Sequence, residues 1–340
     1  MDQKKFRIAV VGATGAVGEV LLKILAQRKF SVSELVALAS SRSAGSEVAF
    51  GRKQTPVRDL ETYDFDGIDV AFFSAGGSVS AKHAPRAAAA GALVIDNTSH
   101  FRNDSDVPLV VAEVNPHAMR DRPRGIVSNP NCSTMQLVVA LAPIHRAVSI
   151  DRINVATYQS VSGAGRSGLD ELGRQTSQLL NFKKARPKRF TCQIAFNVIP
   201  HIDDFQENGY TREEMKMVWE TQKILEDPAI KVNPTAVRVP VFFGHAEAVH
   251  IETRAKITAA QARELLAAAP GVVLVDERKD GGYPTPVTHA SGQDPVFVGR
   301  VREDISHPLG LDLWIVADNI RKGAALNAVQ LAELWSRGEA

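Results

Sequence analysis

The stretch Gly12-Ala13-Thr14-Gly15-Ala16-Val17-Gly18 decides the fold of the N-terminal part of this chain. It follows an apolar run at residues 7–11 and opens a helix-like run at residues 17–27, so it links a predicted strand to a predicted helix. Small residues in such a turn let the backbone approach a pyrophosphate, whose charge then lies at the helix N-terminus. The spacing G-x-x-G-x-x-G is a variant of the usual fingerprint, and a purely structural turn is the alternative, but the strand-turn-helix context favours dinucleotide binding. The candidate contacts are Gly12, Thr14, Gly15, Ala16 and Val17.

Strand-like and helix-like runs alternate through the first third of the chain. Short β-branched runs occur at residues 35–39, 70–73 and 93–95, and helix-like runs at residues 17–27 and 81–90. This alternation is typical of βαβ units, whose parallel strands form one sheet. The sequence therefore predicts an α/β fold with an N-terminal Rossmann-type parallel sheet.

The pattern changes after about residue 150, where longer strand-like segments dominate. They lie at residues 153–159, 237–243, 249–256, 296–302 and 311–317. This indicates a second, α+β domain. We predict a cofactor-binding domain at residues 1–131, completed by a C-terminal helix within residues 320–340, and a second domain at residues 132–319.

The residues after the second predicted strand indicate the type of dinucleotide. An NAD-binding site would place an acidic residue there, whereas this chain has Ser40, Arg42 and Ser43. Hydroxyl groups and a guanidinium suit a 2′-phosphate. We therefore expect NADP rather than NAD, the alternative being a polar loop with an incidental arginine.

Cys132 is a candidate nucleophile because it directly precedes an apolar, helix-like run at residues 135–148. Free N–H groups and the helix dipole at such a position favour a thiolate, which attacks acyl carbons. The alternative is that Cys132 is a small buried hydrophobic residue. Together with a hydride-transfer cofactor, a nucleophilic cysteine indicates oxidoreduction of an aldehyde or acyl group through a thioester.

Composition excludes several classes of function. A formal net charge of +2, from 40 basic and 38 acidic residues, provides no field suited to a nucleic-acid backbone. Two cysteines form no disulfide framework, which favours a cytoplasmic location, and no apolar run approaches the roughly 20 residues that span a membrane. We also predict no metal site, since no His, Cys or Asp cluster has ligand spacing.

Nearly the whole chain resembles the aspartate-semialdehyde dehydrogenase family. Besides the glycine-rich turn, the matching stretches are Ile95–Ser99 with Phe101-Arg102, Asn129–Cys132, Tyr158–Gly165, Asn197–His201, Arg238–Val241 with Gly244-His245, Tyr283–Pro286, Val298–Arg300 and Asp318–Ala325. The resemblance implies that Cys132 is the nucleophile that holds the acyl thioester, beside Asn131 in the substrate site. It further implies that Gln159 orients the substrate and that Arg238 binds its α-carboxylate, for which a guanidinium is well matched.

The resemblance also implies further cofactor and phosphate contacts. Ser162, Gly163 and Asn319 would lie against the cofactor, and Arg102 and Lys216 would bind phosphate. Thr211 is expected to cap a helix in which Glu213, three residues before Lys216, orients that lysine. As a bare pattern this would be a solvated helix face. The second cysteine, Cys192, has no such context, and we interpret it as structural.

Two histidines compete for the acid/base role. His250 stands in an alternating strand, whereas His245 follows Gly244 at a break between strands, where a side chain can enter a cleft. We choose His245, which also has the family's spacing of seven residues after Arg238. A pKa near neutrality would let it protonate or deprotonate the hemithioacetal oxygen in both directions.

The activity implied by the resemblance is the NADP-dependent interconversion of 4-aspartyl phosphate and aspartate semialdehyde, with release or uptake of phosphate. Residues 132–319 would then form a catalytic and dimerisation domain of a homodimer. The pathway would be the synthesis of lysine, threonine and methionine, and of diaminopimelate in a bacterium. The alternatives are an N-acetyl-glutamyl-phosphate reductase and a non-catalytic binding protein with the same fold.

Overall fold

The computed structural model describes residues 4–339, and these form two compact units. The first unit contains the described residues up to Asn131 together with those from Ala324 onward, and the second is Cys132–Gly323. Each unit has a β-sheet of its own.

The first unit is built on a seven-stranded sheet in the order β3-β4-β2-β1-β5-β6-β7. All neighbouring strands are parallel except β3 and β4, which are antiparallel. The predicted parallel α/β sheet is therefore confirmed. The strands are β1 (Phe6–Val11), β2 (Val32–Ala39), β3 (Glu47–Phe50), β4 (Lys53–Asp59), β5 (Val70–Phe73), β6 (Leu93–Asp96) and β7 (Ile126–Ser128), and the helices are α1 (Ala16–Gln27), α2 (Gly77–Ala89) and a 3₁₀ turn (Pro116–Arg120).

The apolar residues of this unit explain the arrangement. Strand β1 lies between β2 and β5, and its run of apolar side chains is buried on both faces of the sheet. The C-terminal segment of this unit begins at Ala324, inside the π-helical turn Arg321–Leu326, and contains α7 (Asn327–Ser336). It adds Leu326, Val329 and Leu331 to the same core. Two contacts hold α7 to the rest of the unit. Arg28 forms a bidentate ion pair with Glu333, with both distances 2.7 Å, and the ring of Phe6 contacts that of Trp335.

The second unit has a six-stranded mixed sheet in the order β11-β12-β13-β10-β8-β9. Its strands are β8 (Ile150–Gln159), β9 (Lys231–Arg238), β10 (His245–Thr253), β11 (Val272–Leu274), β12 (Val296–Glu303) and β13 (Gly310–Ala317). The helices are α3 (Cys132–Val148), α4 (Arg166–Leu180), α5 (Arg212–Ile224) and α6 (Ala259–Ala268), with short helical turns at Val161–Ala164, Pro286–Ala290 and Arg321–Leu326. Helix α3 packs on the central strands β8, β10 and β13.

Two of the predicted strands have different bounds. The segment predicted at 237–243 is wrong, because β9 ends at Arg238 and an irregular loop follows, in which Pro240 has no N–H to donate to a ladder. The strand predicted at 249–256 begins earlier, at His245. The loop ends at Gly244, whose φ of +86° is the left-handed conformation that glycine adopts without strain.

Candidate active site

Cys132 is the first residue of α3 and is partly accessible to solvent. The helix begins three residues before the apolar run that predicted it, so the thiol belongs to the first helical turn. Gly323 approaches it so closely that a Cβ on that glycine would lie 2.6 Å from the Cys132 Cβ. The close packing against Cys132 therefore requires glycine at position 323.

His245 is fully buried at the start of β10, and its two ring nitrogens have different environments. The Ser160 backbone N–H donates to Nδ1 over 3.1 Å, and the Ser160 hydroxyl lies at the same distance. Since Nδ1 accepts a backbone hydrogen bond, the neutral ring carries its proton on Nε2. Nε2 is buried and has no hydrogen-bond partner among the described residues, which leaves an N–H available to a reacting oxygen.

The charge of His245 follows from its surroundings. Burial, together with the positive charge of Arg238, lowers the pKa of His245 to about 3, although the Glu213 carboxylate opposes the shift. The ring is therefore neutral at physiological pH. The sequence-based expectation of a pKa near neutrality is wrong for this site, because a sequence pattern does not reveal complete burial beside a guanidinium.

Arg238 ends β9 and is also buried. Its Nη1 donates to the Ser160 carbonyl over 2.8 Å, and its backbone forms a two-bond bridge with Ile199. Burial lowers the pKa of Arg238, whereas the charges of Glu213 and Cys132 act to raise it. Arg238, Cys132 and His245 thus interact electrostatically within one unit.

Gln159 and Lys216 are joined through Glu213. The Gln159 amide donates to Oε1 of Glu213 over 3.1 Å, and Lys216 Nζ donates to Oε2 of the same carboxylate over 3.1 Å. Lys216 also contacts Asp203 at 2.7 Å. Burial would lower the pKa of Lys216, but these two carboxylates outweigh it and raise the pKa, so the ammonium stays charged with one donor left for an anion.

Helix α5 positions Glu213 and Lys216. The Thr211 hydroxyl accepts from the Glu214 N–H, and the Glu214 carboxylate accepts from the Thr211 N–H, which completes a capping box. The other Glu214 oxygen accepts from the backbone of Ala236 on β9. The helix start is thereby fixed to the strand that ends in Arg238.

A hydroxyl and amide network surrounds His245. The hydroxyls of Ser160 and Ser162 and the N–H of Gly244 all donate to Oδ1 of Asn319, at 3.1, 3.0 and 3.1 Å. Gly163 leaves space in front of these groups, because a Cβ there would lie 2.8 Å from Arg238 Nη1 and 3.4 Å from His245 Nε2.

Sequence reasoning missed two residues of this network. Ser160, which binds both His245 and Arg238, was seen only as part of a matching stretch, although a hydroxyl directly after a strand is a signal. Asp203, the second partner of Lys216, stands in the loop before α5, and no sequence pattern singles it out.

The glycine-rich turn of the first unit links β1 to α1. Gly12 has φ +86°, and a Cβ there would lie 2.9 Å from the Ser74 carbonyl carbon, so the turn requires glycine. Helix α1 follows the partly exposed Thr14 and has Gly15 at its N-cap. No N-cap side chain forms a hydrogen bond with the first turn, which contains Ala16 and Val17. Such an uncapped start suits an anion.

The residues predicted for the 2′-phosphate form a turn after β2. The Ser43 N–H donates to the Ser40 carbonyl over 2.8 Å, and the Arg42 side chain is exposed. Arg102 is buried in this unit and donates to the Asn97 carbonyl over 2.8 Å, and Asn131 is buried at the end of the unit.

The two rejected candidates lie elsewhere. His250 is on the opposite face of β10 from His245, with Nδ1 3.1 Å from Asp312. Cys192, interpreted from sequence as structural, is exposed and therefore does not belong to the core. Within residues 4–339, no group of three or more His, Cys, Asp or Glu side chains could hold a metal ion, and no helix is long and apolar enough to cross a bilayer.

Comparison with known proteins gives two family matches. Residues 7–122 match the NAD binding domain of semialdehyde dehydrogenases, and residues 141–322 match their dimerisation domain. The chain is 58% identical to the aspartate-semialdehyde dehydrogenase of Legionella pneumophila, covering 98% of this chain and 96% of that one. It is 59% identical to aspartate-semialdehyde dehydrogenase 2 of Vibrio cholerae, covering 98% of each.

Solved structures agree. The aspartate semialdehyde dehydrogenase II of Vibrio cholerae complexed with ASA superposes with a TM-score of 0.96 at 58% identity, covering 98% of this chain and 99% of that chain. The Candida albicans enzyme with NADP superposes with a TM-score of 0.75 at 25% identity, covering 98% and 99%. From two family models and relatives matched over nearly their whole length, the chain belongs to the aspartate-semialdehyde dehydrogenase family.

Proposed function

We propose that this chain catalyses the NADP-dependent, reversible reductive dephosphorylation of 4-aspartyl phosphate to aspartate semialdehyde through a thioester on Cys132. The observation that carries the proposal is the accessible Cys132 thiol in the first turn of α3, in the same unit as buried Arg238, His245 and Gln159. A nucleophile, a carboxylate-binding cation and a neutral N–H donor are the groups that acyl transfer to a cysteine needs.

In the biosynthetic direction the Cys132 thiolate attacks the acyl carbon of the substrate. A sulfur–carbon bond forms, and the carbon–oxygen bond to phosphate breaks, so that inorganic phosphate leaves with the electron pair. When bound, the nicotinamide cofactor supplies the hydride that reduces the acyl group. The sulfur–carbon bond then breaks, which releases the semialdehyde and restores the thiolate.

His245 acts on the acyl oxygen, which becomes negatively charged in each tetrahedral intermediate on Cys132. A neutral imidazole donates the Nε2–H hydrogen bond without losing its proton, and removal of one such donor typically costs about 3–4 kcal/mol. Complete proton transfer from His245 to this oxygen requires a higher pKa of His245 than it has without substrate. A substrate carboxylate on Arg238 would raise the pKa of His245, because it would offset the charge that, after burial, contributes to depressing it.

The remaining substrate contacts follow from charge and position. Arg238 holds the α-carboxylate, since its guanidinium stays charged even when buried. Gln159, held by Glu213, orients the acyl group by its amide. Lys216 of the second unit binds the phosphate. The resemblance to the family assigns phosphate binding also to Arg102, and substrate binding to Asn131, both of the first unit.

The chain's residues fit NADP. The Gly12 turn and the uncapped start of α1 would hold the pyrophosphate, Ser40, Arg42 and Ser43 the 2′-phosphate, and Ser162, Gly163 and Asn319 the nicotinamide end. The NADP in the Candida albicans relative supports this choice.

Arg42→Asp should raise KM for NADP by roughly 10-fold or more and change KM for NAD far less, because it removes a charged partner of the 2′-phosphate alone. Arg52→Asp is the matched control. Arg52→Asp makes the same change of charge at the amino end of β4, whereas Arg42 follows the carboxyl end of the parallel strand β2. It should leave both constants unchanged. Equal effects of Arg42→Asp on NADP and NAD would contradict its assignment.

We also infer a cytoplasmic homodimer that forms through the second unit and supplies lysine, threonine, methionine and diaminopimelate synthesis. The support is the match of residues 141–322 to a domain that is named for dimerisation. Light scattering of the purified protein should give twice the mass of 36.8 kDa. A monomer at micromolar concentration would contradict the dimer.

The catalytic proposal is tested by following NADPH formation from aspartate semialdehyde and NADP, with and without inorganic phosphate. Wild type should need phosphate, Cys132→Ser should lose activity by roughly 10³-fold or more, and Cys192→Ser should resemble wild type. Wild-type activity only with the N-acetylated glutamate analogue would contradict the substrate, and full activity of Cys132→Ser would contradict the thioester.

A further inference from the structure

Glu247 is a buried carboxyl group that the reaction above does not use. It stands in β10 two residues after His245, and therefore on the same face of that strand. Its neighbours on the adjoining strands are Thr157 of β8 and Ile315 of β13. The side chain is completely buried, so a carboxyl group is enclosed next to His245 along the same face of β10.

The group that faces Glu247 is the amide of Gln136 on α3, one helical turn beyond Cys132. Gln136 is 1% exposed. Within the described part of the chain, neither its amide atoms nor the carboxyl oxygens have a partner that meets the geometry of a hydrogen bond. The last side-chain torsion of Glu and of Gln has a broad range of favourable values. A small rotation about it would therefore bring the Glu247 carboxyl and the Gln136 amide into a mutual hydrogen-bonded pair.

The surroundings of Glu247 favour its neutral form. Burial raises the pKa of the Glu247 carboxyl well above its usual range, and only the Gln136 amide opposes this. The nearest positions on the packed elements, Gln136, Thr157 and Ile315, carry no charge. The ionisable groups nearest in sequence on these elements are His245 on the same strand, Cys132 on α3, Tyr158 on β8 and Asp312 on β13. The last two stand on the opposite face of the sheet from Glu247.

We propose that Glu247 is a positioning residue: as a neutral carboxylic acid it pairs with the Gln136 amide and so fixes the first turns of α3, and Cys132 with them, against the strand that begins with His245. The acid O–H donates to the amide oxygen, and the amide N–H donates to the acid carbonyl. Two hydrogen bonds then join the element that carries the nucleophile to the element that carries the N–H donor.

This inference rests on the proposed function of Cys132 and His245, but two of its readouts need no turnover. The first is the rate of Cys132 alkylation by iodoacetamide against pH, measured in a Cys192→Ser background so that one thiol reacts. The second is the free energy of unfolding against pH. Failure of the catalytic proposal would appear in Cys132→Ser, independently of these measurements.

Glu247→Gln keeps a neutral group of the same shape, so kcat should stay within about threefold of wild type and the alkylation profile should not move. Glu247→Leu and Gln136→Leu each leave one buried polar group unpaired and displace Cys132. Each should lower kcat roughly 10-fold or more with KM for the semialdehyde little changed, and should shift the alkylation profile. The kcat of the double variant should be no lower than that of the less active single variant, because the two residues act as a unit.

Val249→Ala is the matched control, since Val249 is buried on the same face of β10 two residues further on. It should lower stability while leaving kcat and the alkylation profile as in wild type. If Glu247→Gln were as impaired as Glu247→Leu, a neutral pair would not be what the site needs. If Glu247→Leu lost only stability, the role would be structural and the proposal would be overturned.

The pH dependence of stability tests the protonation state. A carboxyl whose folded pKa lies above its ordinary 4.5 makes the wild type less stable as pH rises above that value, because the unfolded chain releases the proton first. Glu247→Gln lacks this loss. The ratio of the wild-type to the Gln-variant unfolding constant should therefore grow with pH, by up to about tenfold per pH unit. A ratio independent of pH would overturn the neutral acid.

Discussion

Burial sets the charge of the individual residues in this site. His245 is enclosed and stands beside Arg238, so it remains neutral and offers Nε2–H as a donor. Lys216 is also largely buried but stays charged, because Glu213 and Asp203 contact it. Of these two basic side chains in one unit, His245 is therefore neutral and Lys216 is positively charged.

Replacement of His245 by Asn should change how stability depends on pH. The folded pKa of about 3 lies below the ordinary 6.5, so only the unfolded chain takes up this proton between those values, and the wild type loses stability as pH falls through that window. The variant cannot titrate. Its unfolding free energy relative to wild type should rise by up to about 1.4 kcal/mol per pH unit of acidification, measured by urea denaturation. Val249→Ala should keep the wild-type dependence of unfolding free energy on pH. If His245→Asn also kept that dependence, a depressed pKa of His245 would be contradicted.

Gly163→Ala should impair catalysis without unfolding the protein. The new Cβ would lie 2.8 Å from Arg238 Nη1 and would displace the guanidinium from the substrate carboxylate. We expect kcat/KM for the semialdehyde to fall roughly 100-fold. Gly173→Ala in α4, where a Cβ meets no atom within 4 Å, should leave kcat/KM unchanged and add about 0.5–1 kcal/mol of stability. Equal kinetics for the two variants would contradict the role of the open space at Gly163.

The sequence could indicate which residue types matter but not their contacts. Cys132 was recognisable from its place before an apolar helix, and Gly12 from its strand-turn-helix context. The Ser160 link to His245 and the Asp203 link to Lys216 were not recognisable, since they join residues 85 and 13 positions apart through the fold. The same holds for the depressed pKa of His245, which depends on complete burial.

At the scale of elements, the start of α5 fixes Lys216, the residue that we propose binds phosphate. The Thr211 capping box and the bond from Ala236 to Glu214 anchor the helix, and Glu213 and Lys216 stand in its first turns. Any loosening of this helix start moves Lys216. A change that loosens the start of α5 should therefore lower both the free energy of unfolding and the affinity for phosphate.

Thr211→Ala should lower the free energy of unfolding by about 1 kcal/mol and raise KM for phosphate more than KM for the semialdehyde. The chain has a matched control, because Thr258 and Gln261 form an equivalent capping box at the start of α6. Thr258→Ala should cost a similar amount of stability and leave KM for phosphate unchanged. Denaturation and initial-rate assays on both variants measure this, and an equal rise in phosphate KM would contradict the link through α5.

Elements with a strong local signal could be predicted, and those defined by tertiary pairing could not. Strands β1, β5 and β6 are short apolar runs and were found close to their bounds. Strands β3, β4 and β7 were not found, since they are short or polar and owe their existence to pairing at the sheet edges. The predicted strand at 237–243 failed because its apolar residues line a loop that Pro240 and Gly244 define.

At the scale of the molecule, the described chain forms two units, each with its own sheet. The residues argued to act on the acyl group, Cys132, Gln159, Arg238 and His245, all belong to Cys132–Gly323, whereas the glycine-rich turn belongs to the other unit. The parallel sheet could be predicted because its βαβ pattern is local. The order of the mixed sheet could not, because it depends on pairings between strands far apart in sequence.

The central claim is that the acyl group passes through Cys132. The most direct test is to mix the protein with aspartate semialdehyde and NADP in the absence of phosphate, quench with acid, and determine by mass spectrometry which peptide carries an acyl adduct. We expect an aspartyl adduct on Cys132 in wild type and in Cys192→Ser, which is discharged when phosphate is added and is absent from Cys132→Ser. NADP reduction without any adduct, or an adduct on another residue, would contradict it.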